Sequence, residues 1–81
     1  METIIQQTDS LVAATYARLP VVFERGRGTM LWDNAGRRYI DFLAGIAVCG
    51  LGHAHPALQQ ALAKQAGRLV HVCNLFYTIP Q

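Results

Sequence analysis

The sequence predicts a small α+β unit in which a helix, a three-stranded antiparallel meander, an apolar glycine-punctuated loop and a second helix follow one another. Three observations predict it. The apolar period changes from helical to two after Pro20, two links with turn chemistry divide the period-two stretch into three short runs, and Pro56 opens a run with one apolar and one polar face.

The first helix rests on Ile4, Ile5, Leu11, Val12 and Tyr16, which fall on one helical face. Thr3 with Gln6 fits a capping box, while Asp9 or Ser10 fits an N-cap just ahead of the denser apolar part. Both starts are open, and we place the helix at the later one. Arg18 near its end complements the helix dipole, and Pro20 biases Leu19 away from helix.

Residues 21–25, 29–33 and 38–42 then read as strands joined by Gly26-Arg27-Gly28 and by Asp33-Asn34-Ala35-Gly36. Asn34 tolerates turn geometry, and Gly36 supplies the positive φ that closes a hairpin loop, so the three strands are expected to form a meander. Gly26 and Gly28 do not make a dinucleotide fingerprint. The third glycine is missing, with Leu31 in its place, and a strand follows where a helix is needed.

Residues 36–56 organise the rest. Arg38, Ile40 and Phe42 alternate with Tyr39, Asp41 and Leu43, after which the alternation gives way to small or apolar residues, with Gly45, Gly50 and Gly52 free to take the positive φ that lets backbone pass close to something else. Such a loop wants a buried neighbour. The helix that follows, residues 56–68, places Leu58, Leu62, Ala66 and Leu69 on one face and Gln60, Lys64 and Arg68 on another. Beyond Gly67, Val70 and Val72 alternate with His71 and Cys73 as a short extended piece. Thr78, Pro80 and Gln81 together carry the signature of a further helix start, so the chain is expected to be a truncated piece.

Composition agrees with that expectation. Hydrophobic residues make up 52% of the 81 positions and charged residues only 15%, where about 25% charged is ordinary. A short chain needs more polar surface than a long one, so this excess calls for a covering partner. Five of the seven basic residues are scattered between Arg18 and Arg38, without the aromatic-interleaved stripe of a nucleic-acid surface. Cys49 and Cys73 allow at most one bridge, and Glu2, Gln6 and Gln7 do not form a secretory leader, so a reducing cytoplasm is the expected setting. The apolar run 43–52 is about half of the roughly 20 residues that a membrane helix requires.

Cys49, His53, His55, His71 and Cys73 all have metal-ligating side chains, but their spacings are not the paired C-x₂₋₄-C or H-x₃₋₅-H of zinc modules. The reading is no metal. His53 and His55 are expected to bond groups at the helix start, and the cysteines to act as small buried apolar residues. Lys64 is the sole lysine, and it shares its helix face with Gln60 and Arg68 instead of a desolvated pocket.

The ordered series ERGRG, LWD, GRRYIDF, GIAV, GHAHP and NLFYT, over residues 24–78, resembles the N-terminal region of the class III, fold-type I pyridoxal-phosphate aminotransferases. The resemblance implies an α/β enzyme whose large cofactor-binding domain is missing here, and a homodimer in the cytoplasm. Residues 1–81 are then its N-terminal segment, without an internal domain boundary. It also implies that the Schiff-base lysine, the phosphate cradle and the carboxylate-binding arginine lie beyond Gln81, so no catalytic or cofactor-binding residue is expected among these 81 and the chain alone is expected to be inactive. LAGIAV, LGHAHP and NLFYT look most like the branch that transfers an amino group from N-acetylornithine to 2-oxoglutarate in arginine biosynthesis. Ile46 stands where a tyrosine is expected in the ornithine branch. Tyr16, Ile46, Val48, Asn74, Phe76 and Tyr77 are carried over as substrate-side or interface wall. The alternatives are a relative acting on ornithine, succinylornithine, succinyldiaminopimelate or 4-aminobutyrate, or a stand-alone interaction or metal module.

Overall fold

Strand pairing does most of the organising in this chain. The structure, a computed structural model, describes residues 2–81. Helix α1 (Glu2–Leu11) leads into β1 (Phe23–Arg27), β2 (Met30–Asp33) and β3 (Arg38–Ile40), then a single turn α2 (Ala44–Ala47) and helix α3 (Pro56–Ala66). The sheet has the order β1-β2-β3 with both pairs antiparallel. This is the expected meander.

Its first turn is tighter than the sequence indicates. β1 runs on through Gly26 and Arg27, and Arg27 pairs with Met30, leaving only Gly28 and Thr29 as the loop. Gly28, at φ +58, takes the first loop position, where two-residue hairpins of the II′ kind need glycine. The second turn is as read: Gly36 N donates to Asp33 O at 3.1 Å, with Gly36 at φ +82. Across the sheet, the Phe23 and Tyr39 rings meet edge to face with centroids 5.3 Å apart.

Helix α1 corrects the expected late start. It begins by Glu2, and Ser10 is no cap, since its hydroxyl donates back to Gln7 O at 2.9 Å. The good helix formers Gln6 and Gln7 lie within α1, and Val12 N still donates to Thr8 O at 2.9 Å as the last helical bond. Tyr16 therefore stands beyond the helix, not on it.

α2 is not an ordinary helical turn. Ala44, Gly45, Ile46 and Ala47 have φ of 52, 63, 61 and 62°, so the backbone winds left-handed. That winding costs roughly 1–2 kcal/mol for each non-glycine residue. Of the three loop glycines free to take positive φ, Gly45 and Gly52 do so.

Helix α3 forms where Pro56 predicts it. His55 caps it, with Nδ1 accepting from Ala57 N at 3.1 Å. Residues 70–73 form no strand, and Cys73 adopts φ +68. At Thr78 the side chain of Gln81 reaches back to accept from the Thr78 N–H at 3.2 Å, half of the capping box the sequence spells.

What the described residues lack is an apolar interior. No hydrophobic side chain among them is buried, and neither α1 nor α3 packs on the sheet. The radius of gyration is 17.1 Å, against about 12 Å for a compact chain of this length. Leu58, Leu62 and Leu69, the face of α3 expected to pack, are all exposed within this chain.

Candidate functional site

Loop 42–52 carries two of the expected wall residues, Ile46 and Val48, and its two ends are fixed to the same hairpin turn. Asp41 N donates to Thr29 O at 2.7 Å; His53 N donates to Gly28 O at 2.8 Å, and Gly28 N to His53 O at 2.9 Å. The ends are also joined directly. Asp41 Oδ2 accepts from His53 Nε2 at 2.6 Å, while Asp41 Oδ1 accepts from Leu43 N and Ala44 N, each at 2.9 Å. One carboxylate thus caps the entry to the left-handed turn and holds the residue that closes the loop.

Two glycines make this base possible. A Cβ on Gly26 would lie 2.7 Å from His53 Cγ, and one on Gly52 would lie 2.8 Å from Gly28 O. Neither fits. The Ala44 N–H, then the bond from His53, hold the Asp41 carboxyl below its ordinary range against a smaller opposing effect of burial.

A second carboxylate locks the hairpin beside it. Asp33 Oδ1 accepts from Ala35 N and Arg37 N, and Oδ2 from Arg37 Nε and the Tyr39 hydroxyl, all at 2.9 Å. Burial alone would raise this carboxyl, but the Arg37 N–H, Tyr39, the Ala35 N–H and the Arg37 guanidinium together bring it below the usual value. The same bond raises Tyr39, since a phenol donating to a carboxylate resists losing its proton.

The six expected wall residues do not assemble within this chain. Ile46 and Val48 point outward from the loop, 88% and 80% exposed. Tyr16 lines a cleft of about 570 Å³ between α1 and residues 17–22, which holds none of the other five. Asn74 lines a separate hollow with Gln65, His71 and Gln81; Phe76 is exposed, and Tyr77 is 97% exposed. Each side chain is presented, not enclosed.

The chemistry-bearing residues are similarly placed. His53 serves the loop base and His55 the helix cap, so only His55 takes the helix-start role expected of both. Cys49 is half-buried, but Cys73 is exposed, which corrects its reading as a buried apolar residue. Among the described residues, no three His, Cys, Asp or Glu side chains gather as a metal site. Lys64 is solvent-exposed in the last turn of α3. Sequence reading missed Asp41 and Asp33, whose only signal was a carboxylate at the end of a strand.

The family model described as aminotransferase class-III matches residues 11–81. The acetylornithine aminotransferase of Gloeobacter violaceus is 58% identical over 79 residues, covering 98% of this chain and 20% of that protein. In the N-acetylornithine aminotransferase of Stenotrophomonas maltophilia K279a, 94% of this chain superposes on 19% of that one, with TM-score 0.78 and 50% identity. The ornithine δ-aminotransferase of Plasmodium falciparum superposes on 96% of this chain and 20% of its own, with TM-score 0.93 and 31% identity. The chain spans about a fifth of the length of the curated relatives it matches.

Proposed function

Because the chain belongs to the class-III aminotransferase family, we propose that it is the N-terminal segment of a pyridoxal-phosphate enzyme that moves the δ-amino group of N-acetylornithine to 2-oxoglutarate. The products are N-acetylglutamate semialdehyde and glutamate. One observation carries the choice of donor: the 58% identity over 79 residues to an acetylornithine aminotransferase. Shape does not choose, since an ornithine enzyme at 31% identity superposes with TM-score 0.93.

The residues present do not fit the cofactor. Lys64 is exposed on the outside of α3, no phosphate cradle is formed around it, and no step of the transfer is assigned to these residues. Their part is to supply surface. Tyr16, Ile46, Val48, Asn74, Phe76 and Tyr77 form substrate-side or subunit-interface wall in a cytoplasmic homodimer; their exposure, with no hydrophobic side chain buried among the described residues, supports that reading. Among the described residues, no helix is long and apolar enough to cross a membrane.

The test is a chimera in which this chain replaces the matching segment of the Gloeobacter enzyme, assayed with cofactor bound. Preference for N-acetylornithine over ornithine and 4-aminobutyrate, by kcat/KM, is expected. A chimera that prefers ornithine overturns the assignment.

A further inference from the structure

We infer that Asp41 and His53 are positioning residues for amino-donor selectivity, acting by holding the left-handed turn that presents Ile46. The inference rests on the reading of Ile46 as substrate-side wall. Everything else in it is geometry within this chain.

Ile46 is 88% exposed on a turn of four successive residues at positive φ, so side-chain burial does little to fix it. A turn of that hand persists only where its surroundings over-determine it. The surroundings here are few. Ala47 N donates to Leu43 O at 2.9 Å and Val48 N to Ala44 O at 2.8 Å, which closes the turn on itself but does not aim it. Aim comes from the two N–H groups at its entry, Leu43 and Ala44, which both donate to Asp41 Oδ1.

Asp41 in turn is oriented by His53, which the paired bonds with Gly28 tie to the β1–β2 hairpin. The direction of Ile46 thus passes back through Asp41 and His53 to the sheet. Gly26 belongs to the same device, because its missing Cβ is the space that the His53 ring fills. Carboxylate and imidazole are only partly accessible, with 10% and 22% of their side-chain surfaces exposed. A substrate is not expected to touch them.

The experiment uses the full-length chimera with cofactor bound, carrying Asp41→Ala, Asp41→Asn, His53→Ala, Gly26→Ala or Ile46→Tyr. Asp41→Ala and His53→Ala are expected to raise KM for N-acetylornithine on the order of tenfold, as a displaced positioning contact does, with kcat and KM for 2-oxoglutarate changing much less. Asp41→Asn should restore part of the loss, because its side-chain oxygen still accepts from Leu43 and Ala44, while its NH2 can bond His53 Nε2 only in the tautomer that leaves that nitrogen unprotonated. Gly26→Ala reaches the same defect from the other side of the imidazole. Hydrogen exchange of the amides of residues 43–49 provides a readout independent of turnover, and faster exchange is expected in the three disruptive variants.

Faster exchange at these amides with unchanged donor preference overturns the inference, as does an equal loss in kcat and in both KM values. The underlying reading fails separately: it falls if Ile46→Tyr leaves donor preference untouched, whatever Asp41 does. If Ile46→Tyr shifts preference toward ornithine but Asp41→Ala and His53→Ala do not alter selectivity, the wall stands and the positioning role is lost.

Discussion

The Tyr39 hydroxyl donates to Asp33 Oδ2 at 2.9 Å, and Asp33, 1% exposed, is the one described side chain sealed from solvent. With no hydrophobic side chain buried among the described residues, the most enclosed of them is a hydrogen-bonded carboxylate. Four donors converge there, and an unpaired buried donor is costly.

Removing that acceptor should loosen the second hairpin first. Asp33→Ala in the full-length chimera is expected to lower the melting temperature more than Tyr39→Phe, because the alanine strands two backbone N–H groups and the phenylalanine strands none. Calorimetry on the two variants checks the order.

Both carboxylates have folded values below the ordinary 3.8. Lowered carboxyls stabilise the folded form above the unfolded value, and that contribution is lost as pH falls through the folded value. Amides of Ala35, Arg37, Leu43 and Ala44 should therefore stay protected down to about pH 4 and lose protection progressively below it. Exchange measured across that range, with rates corrected for intrinsic pH dependence, tests the sign.

Two neighbouring glycines should respond by different amounts. Gly52→Ala forces a Cβ to 2.8 Å from Gly28 O at φ +76, and should destabilise the loop base by about 1–3 kcal/mol. Gly50→Ala meets nothing within 4 Å of this chain and has no positive φ, so its effect should stay within about 1 kcal/mol. Denaturant titration of both variants gives the comparison.

How much of this was legible depended on how local the cause was. Pro56 and Gly36 each mark an element by their own backbone chemistry, and α3 and the second turn lie where they predict. Gly26 looked like a turn residue, whereas its use is to admit the His53 ring from far along the chain. Ala44, Ile46 and Ala47 have no preference for left-handed winding, which is held by Asp41 with His53, twelve residues apart. Local reading sees neither. The family and the loop that carries Ile46 were visible in the ordered motifs, while the six residues proposed as wall do not come together among the described residues.

Lys64 should not be a cofactor lysine. Borohydride reduction of the isolated chain with pyridoxal phosphate, followed by peptide mapping, is expected to give no stoichiometric label at Lys64, since an exposed ammonium on a helix is neither desolvated nor oriented. Selective, complete labelling there would contradict the placement of catalysis elsewhere.

No hydrophobic side chain is buried among the described residues, and the apolar surface they present is proposed to be covered by further protein. Light scattering on the isolated chain, alone and with Ile46→Asp and Val48→Asp together, tests it most directly. The account predicts self-association of the unsubstituted chain, driven by exposed side chains that include Leu43, Ile46, Val48 and Leu51, and a clear reduction in the doubly substituted one. A monodisperse monomer from the unsubstituted chain, unaffected by the two aspartates, would contradict it.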